Sequence, residues 1–122
     1  MTVVADGNPV IFAIEAAEQL EKEGISVEVV DPRTLVPLDI DTIVASVRKT
    51  GRVVIVDEDA VRCGVGAEIG MQIVEQAFDA LKAPIQRVGN PNIPVPASVP
   101  LVKVVLPQTE DIIAAIRATL DG

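Results

Sequence analysis

Short runs of β-branched residues recur along the chain and alternate with segments in which apolar residues have helical spacing. The runs at 2–5, 26–30, 52–56 and 85–88 are rich in valine and isoleucine and predict four buried strands. Because strands and helices alternate, the pattern predicts an α/β protein: a three-layer α/β/α arrangement with a mainly parallel sheet. Right-handed crossovers favour a doubly wound sheet with strand order 2-1-3-4.

Four helices are predicted from apolar residues three or four positions apart. The first begins at Pro9 after Asn8 as N-cap, and the second is capped by Asp39 and stopped by Gly51. The residues predicted to be buried by the third helix are Ile69, Ile73, Val74, Ala77, Phe78 and Leu81. The last helix begins near Thr109, and its predicted buried residues are Ile112, Ile113, Ile116 and Leu120.

Three consecutive carboxylates, Asp57, Glu58 and Asp59, follow the third predicted strand. We expect them on a short loop at the carboxyl end of the sheet, where open α/β sheets keep their sites. The predicted strand order puts the switch point between the first and third strands, so residues 6–8 should lie beside these acids. Glu68, in the first turn of the third helix, is explained by a favourable interaction with the helix dipole.

Two connections are rich in proline. Residues 31–38 contain two prolines that forbid a continuous helix, and Arg33 there either pairs with a nearby acid or reaches another domain. Residues 89–100 contain four prolines and should be stiff and extended. The first strand begins at the first residues of the chain, so we expect a larger protein to have a segment before it.

The charge and the residue inventory exclude several classes of function. Ten Lys and Arg residues against 18 Asp and Glu residues leave a net charge of −8, which disfavours nucleic acids and anionic membranes and favours a basic protein partner. The absence of histidine removes the commonest metal ligand and general base. Neither a membrane span nor a signal peptide is predicted, so we expect a cytoplasmic protein or one of the mitochondrial matrix.

Two local patterns have simple structural explanations. Gly64 and Gly66 suggest a dinucleotide loop, but they lie too far beyond the strand, Ile69 occupies the position of the third glycine, and the acids would repel a pyrophosphate. A tight loop and close helix–sheet packing explain these glycines better. Cys63 is a single cysteine whose thiolate the nearby acids would oppose, so we expect a small filler residue.

Asp6 and Asp57 also suggest the acid pocket of a receiver domain, in which carboxylates bind Mg²⁺. The sequence has no second acid beside Asp6 and no Ser or Thr after the fourth strand. A stand-alone acidic module that binds a ligand or Mg²⁺ remains the alternative interpretation.

The order and spacing of several short motifs resemble one protein family. They are DPRTLVPLD at 31–39, GRVVIVDE at 51–58, GVGAEI at 64–69, AP at 83–84 and PVP at 94–96. Over essentially the whole chain, 1–122, they resemble the C-terminal domain of transketolase-like enzymes. The similarity is closest to the β subunit of the thiamine-diphosphate-dependent decarboxylating component of 2-oxo acid dehydrogenase complexes (pyruvate, branched-chain or acetoin type).

The resemblance implies an assembly domain without catalytic residues of its own. In the family, thiamine diphosphate and magnesium lie in other parts of the enzyme, and one further antiparallel edge strand precedes the position where this chain begins. The domain contributes to contacts between the α and β subunits, and in some complexes it docks the basic subunit-binding domain of the acyltransferase. The parent reaction would be oxidative decarboxylation of a 2-oxo acid.

We therefore predict contact surfaces and one structural loop. The predicted contact residues are Asp57, Glu58, Asp59, Gly64, Gly66, Glu68, Pro94, Pro96 and Ala97, and the loop residues are Asp31, Arg33, Thr34 and Pro37. Four positions depart from the family pattern, which puts the inherited interface in question: Asp57, Ala97, Val102 and Val105. The valine-rich segment 26–30 should form an exposed sheet edge, and such edges pair with one another, so a homodimer is also expected.

Overall fold

Four parallel strands form the sheet in the computed structural model, which describes all residues from 1 to 122. The strands are β1 (Thr2–Ala5), β2 (Glu28–Val30), β3 (Val53–Ala60) and β4 (Gln86–Asn90). Their spatial order is β2-β1-β3-β4, with Val3 of β1 opposite Val29 on one side and Val54 on the other. The predicted α/β fold and strand order are confirmed.

Five α-helices and one 3₁₀ turn connect and cover the strands. The helices are α1 (Pro9–Glu21), α2 (Ile40–Thr50), α3 (Val65–Ala77), α4 (Val99–Val105) and α5 (Thr109–Asp121), and the 3₁₀ turn is Phe78–Ala80. No helix is long and apolar enough to span a bilayer.

The sheet separates two apolar clusters. On one face α1 and α5 pack on the sheet through Leu20 and Ile116, and on the other face α2 and α3 pack through Val47 and Ile73. These four side chains are fully buried. Successive side chains of a strand point to opposite faces, so a strand buried on both faces must be apolar throughout, as 53–56 is.

The predicted helix boundaries at α2 are confirmed, whereas the predicted cap of α1 is only partly right. Asp39 Oδ1 accepts a hydrogen bond from the Thr42 N–H at 3.1 Å, and Gly51 ends α2 with a left-handed φ of 74°. Asn8 precedes α1 as predicted, but it has helical backbone angles and its side chain caps nothing.

The three acids at 57–59 were predicted to lie on a loop, and this prediction is wrong. They lie on β3, because the strand continues to Ala60. The strand bulges between Val56 and Ala60 and rejoins β4 at Asn90. Gly89 makes the bulge possible: a Cβ there would lie 2.8 Å from the Asp59 carbonyl oxygen. The strand therefore carries the acids to the rim of the sheet.

Two apolar residues that the third and last helices were predicted to bury are exposed. Phe78 is 71% exposed because Ala77, with a φ of −142°, ends α3 and the chain enters the 3₁₀ turn. Leu120 is 37% exposed, and Thr119 takes the buried position instead by donating its hydroxyl to the Ala115 carbonyl at 2.8 Å.

The extended connection predicted for 89–100 is wrong at both ends. Gly89 and Asn90 belong to β4, and Pro100 is the second residue of α4, a helix that was not predicted. Proline is compatible with the first turn of a helix because the N–H it lacks would have no partner there.

Candidate interface site at the carboxyl end of the sheet

The carboxyl ends of β1 and β3 bring acidic side chains together. Asp6 follows β1, and Asp57 and Glu58 lie on the extension of β3. A Cβ on Gly7 would lie 3.4 Å from Glu58 Oε1, so the segment 6–8 does lie beside the acids, as predicted. This is the switch point of the sheet.

The electrostatics of this end are unfavourable to further negative charge. Burial raises the pKa of the Asp6 carboxyl above its ordinary value, and the charges of Asp57, Glu58 and Asp31 raise that pKa further. An anionic ligand such as a diphosphate would meet repulsion here.

Asp57 and Asp59 use their side chains to hold the bulge. Asp57 Oδ1 accepts a hydrogen bond from the Asp59 N–H at 3.0 Å, and Asp59 Oδ1 accepts one from the Ala60 N–H at 2.7 Å. Asp57 Oδ2 is buried without a hydrogen-bond partner. No three His, Cys, Asp or Glu side chains are grouped so that they could hold a metal ion.

The glycines after β3 permit close contacts. A Cβ on Gly64 would lie 2.1 Å from the Ala60 carbonyl oxygen, and a Cβ on Gly66 would lie 3.2 Å from Ile55 Cγ2. These contacts agree with the tight loop and helix–sheet packing expected from the sequence. Glu68 lies in the first turn of α3, as predicted, and accepts a hydrogen bond from Gln72 Nε2 at 2.7 Å.

The turn after β3 is tied to the proline-rich connection. Arg62 N–H donates to Asn92 Oδ1 at 3.3 Å, and Arg87 Nη1 donates to the Val61 carbonyl at 2.6 Å. Cys63 in this turn is exposed and has a φ of 60°, so the filler role predicted for it is wrong. The structure thus places the segment 57–68 beside the start of the connection.

The loop at 31–38 is held by contacts within itself. Asp31 Oδ2 pairs with Arg33 Nε at 2.8 Å, so Arg33 has the local partner that was one of its two predicted options. Thr34 Oγ1 donates to the carbonyl of Pro37 at 2.8 Å. These contacts lie within the loop, and the structural role of its four residues stays a prediction.

The connection leads into an apolar surface that the sequence analysis missed. Pro94 and Ala97 are exposed and Pro96 is half-buried. Four exposed apolar side chains, one on α1 and three on α4, form what we call the α4 surface: Ile11 (59%), Val99 (68%), Leu101 (54%) and Val104 (81%). A cavity of about 470 Å³ opens between α1 and α4, and Phe12, Glu58 and Val102 are among its lining residues.

The apolar content of residues 99–106 could have predicted this surface. Residues 99–106 contain six Val and Leu residues and one charge, more apolar residues than one buried helix face needs. Of the positions that depart from the family pattern, Val102 and Val105 are half-buried beneath this surface.

Comparison with known proteins identifies the family. The model described as "Transketolase, C-terminal domain" matches residues 1–112. The chain is 48% identical over 122 residues to the β subunit of acetoin:2,6-dichlorophenolindophenol oxidoreductase of Cupriavidus necator, covering 100% of this chain and 36% of the relative. It is 45% identical over 117 residues to pyruvate dehydrogenase E1 component subunit beta-1, mitochondrial, of Oryza sativa, covering 96% of this chain and 31% of the relative.

A solved structure agrees with this result. The structure titled "Split gene transketolase, inactive beta4 tetramer" superimposes with a TM-score of 0.79 at 34% identity, covering 98% of this chain and 39% of that chain. The chain spans about a third of the length of the curated relatives it matches. The motifs, the fold and these matches agree: the chain belongs to the transketolase C-terminal domain family.

Proposed function

We propose that residues 1–122 form a non-catalytic assembly domain of an E1 β-like subunit of a 2-oxo acid dehydrogenase. The observation that carries this proposal is the α4 surface. Four large apolar side chains are exposed on two adjacent elements, and each of them is more than half accessible to solvent. Clustered exposed apolar side chains with a polar rim are typical of protein contact surfaces.

One acid borders the α4 surface. Glu58 lines the cavity between α1 and α4 together with Lys103, whereas Asp57 and Asp59 lie beside Gly66 and do not line it. With a net charge of −8, the domain favours partners that present apolar and basic groups. The candidate partners are the α and β subunits of the parent enzyme and the basic subunit-binding domain of an acyltransferase.

We propose no cofactor site in this domain. The acids at the carboxyl end of the sheet support this proposal, because Asp6, Asp57 and Glu58 would repel the phosphates of thiamine diphosphate. In the parent enzyme we expect thiamine diphosphate and Mg²⁺ to be held by other segments. The whole enzyme would decarboxylate a 2-oxo acid, and this domain would supply contacts between subunits.

A chimeric enzyme tests the assembly role. The matching C-terminal third of the Cupriavidus necator β subunit is replaced by this chain, which is 48% identical to it. We expect the chimera to assemble with its α subunit and to retain acetoin:2,6-dichlorophenolindophenol oxidoreductase activity. Assembly is measured by light scattering after size exclusion, and the β subunit without its C-terminal third serves as the negative control.

Charge reversal in the chimera tests the role of Glu58. We expect Glu58→Lys to weaken assembly, because the variant adds positive charge where a basic partner would approach. Glu18→Lys, on α1, has the same charge change and serves as the matched control. Normal assembly of Glu58→Lys would contradict the role of this acid, and a chimera that never assembles would contradict the assembly proposal.

A second candidate function rests on the buried oxygen of Asp57. Asp57 Oδ2 has no hydrogen-bond partner and the charge of Asp57 acts on Asp6, so we propose these two carboxylates, which no third acid joins, as ligands of a divalent cation. A stand-alone Mg²⁺-binding module would gain thermal stability from the ion, since a ligand of the folded state raises Tm. A rise in Tm with MgCl₂ that disappears in Asp57→Asn would favour this candidate, and an unchanged Tm would remove it.

A further inference from the structure

Helix α3 is apolar on two faces, and the rest of the chain covers only one of them. Ile69, Ile73 and Ala77 are buried against the sheet. Met71 is 53% exposed and Phe78 is 71% exposed. These two belong to a second row with helical spacing, which continues into the 3₁₀ turn and lines an open groove beside β4: Ala67, Gly70, Met71, Val74 and Phe78. One buried face is enough to hold a helix on a sheet, so the second row is available to a partner.

The groove has a volume of about 620 Å³ and a cation at each end. Lys82 and Arg87 line it, and no acid does. The Lys82 N–H donates to the carbonyl of Gly51, before β3, at 2.8 Å, and Arg87 Nη1 donates to the carbonyl of Val61, after β3, at 2.6 Å. Both cationic residues are exposed, and neither forms an ion pair within the chain.

We propose that this groove is a docking site for an acidic amphipathic helix of another protein. The row on α3 extends over about 16 Å, or three helical turns. The small residues Ala67 and Gly70 at its start allow a second helix to approach closely. An apolar stripe on the incoming helix would cover Met71 and Phe78, as in other cases where a helix binds in a groove. Carboxylates near both ends of that helix would meet the two cations.

Charge complementarity decides between the candidate occupants. The chain has a net charge of −8, yet the groove carries two positive charges and no negative one. A second copy bound about a two-fold axis would place the same lining against itself, so the cations would meet no carboxylate. A basic segment would be repelled, because charges within about 10 Å still interact at ordinary salt. Arg87 also borders Asp57 and Asp59, so Lys82 is the freer of the two cations.

Two synthetic peptides test the charge preference. Both are helices of about 20 residues with leucines along one face, and beside that face one carries glutamates and the other glutamines. Isothermal titration calorimetry measures the Kd of each for the 122-residue chain. We expect the glutamate peptide to bind about fivefold more tightly, with an affinity that falls as NaCl is added. The net charge of the chain favours the opposite order, so equal binding, or tighter binding of the glutamine peptide, would overturn the proposal.

Three variants locate the binding. Phe78→Ala should weaken binding of the glutamate peptide at least about tenfold, because Phe78 is the largest apolar side chain at the groove. Lys82→Glu should remove the preference for the glutamate peptide. Lys22→Glu, at the end of α1, has the same charge change outside the groove and should leave both affinities unchanged. Unchanged binding in Phe78→Ala or Lys82→Glu would overturn the groove as the site, and circular dichroism checks that all three variants fold.

This docking site is independent of the assembly role. The groove lies on α3 and β4, whereas the assembly proposal rests on α1 and α4. Val104→Asp should therefore leave peptide binding unchanged. The assembled chimera should bind the glutamate peptide as the isolated chain does. Loss of peptide binding on assembly would show that another subunit covers the groove, and it would overturn the docking of a further protein there.

Discussion

Gly64 approaches the Ala60 carbonyl so closely that a Cβ at position 64 would lie 2.1 Å from that oxygen. The contact closes the turn between β3 and α3, and the backbone at Gly64 is extended, with a φ of −82°. The requirement for glycine here is therefore one of space and not of backbone angle. The neighbouring atom belongs to the backbone of a strand that cannot rotate away.

Alanine at position 64 should be strongly destabilising. We expect Gly64→Ala to lower the free energy of unfolding by about 3 kcal/mol or more, because the turn or β3 must shift to make room. Gly70→Ala is the matched control: its Cβ would make an ordinary contact of 3.5 Å with Ile55 Cδ1, and alanine favours a helix by up to about 1 kcal/mol. Urea denaturation of both variants measures the difference, and equal stabilities would contradict this account.

Asp39 and Asn8 occupy equivalent positions before two helices but differ in their contacts. Asp39 Oδ1 and Oδ2 accept hydrogen bonds from the Thr42 N–H and hydroxyl at 3.1 and 2.6 Å, whereas Asn8 caps nothing. Asp39→Ala should therefore cost about 1 kcal/mol of stability, and Asn8→Ala should cost much less. Thermal unfolding followed by circular dichroism compares them, and a similar loss in both would show that the cap is not the cause.

The strand order could be predicted from sequence because it depends on the alternation of strands and helices along the chain. Valine-rich runs alternate with helical segments, and the crossover rule leaves few topologies for such a pattern. The pairing of Arg33 with Asp31 could also be predicted as one of two options, since the two residues are close in sequence. Long-range packing was not needed for either prediction.

The bulge at 57–60 and helix α4 could not be predicted in the same way. β3 continues through three acids because β4 runs beside it and Gly89 leaves room, and these are contacts between residues far apart in sequence. Pro100 was counted among the prolines of a stiff, extended connection, although a first-turn proline is compatible with a helix. The α4 surface was missed with the helix that carries it.

Asp6 and Glu28 should give opposite dependences of stability on pH. Burial and the charge of Asp57 raise the folded-state pKa of Asp6, so the unfolded chain holds that proton less tightly than the fold does. The ionised carboxyl destabilises the fold at neutral pH, and this effect disappears as pH falls through the raised pKa towards the ordinary value of 3.8. Asp6→Asn should thus raise Tm at neutral pH and lose its advantage in acid.

Glu28 is the matched control, because its pKa is shifted in the opposite direction from that of Asp6. Hydrogen bonds from Lys49 and Ser46 lower the pKa of Glu28, so its contribution is present above the ordinary value of 4.5 and is lost as pH falls through the lowered pKa. Glu28→Gln should therefore lower Tm at neutral pH, with a smaller effect in acid. Calorimetry from acid to neutral pH measures both variants, and parallel curves for the two would contradict the assignments.

Val104 and Val36 allow the α4 surface to be separated from general surface effects. Val104 is 81% exposed on α4, and Val36 is 93% exposed on the loop at 31–38. Neither side chain is buried in the isolated domain, so aspartate at either position should change the free energy of unfolding by only about 0.5 kcal/mol. In the chimeric enzyme, Val104→Asp should reduce assembly at least about tenfold, because a carboxylate would be desolvated inside an apolar contact. Val36→Asp should leave assembly unchanged, and light scattering of the two purified chimeras compares them. If both variants assembled equally well, the α4 surface would not be the contact that this domain supplies.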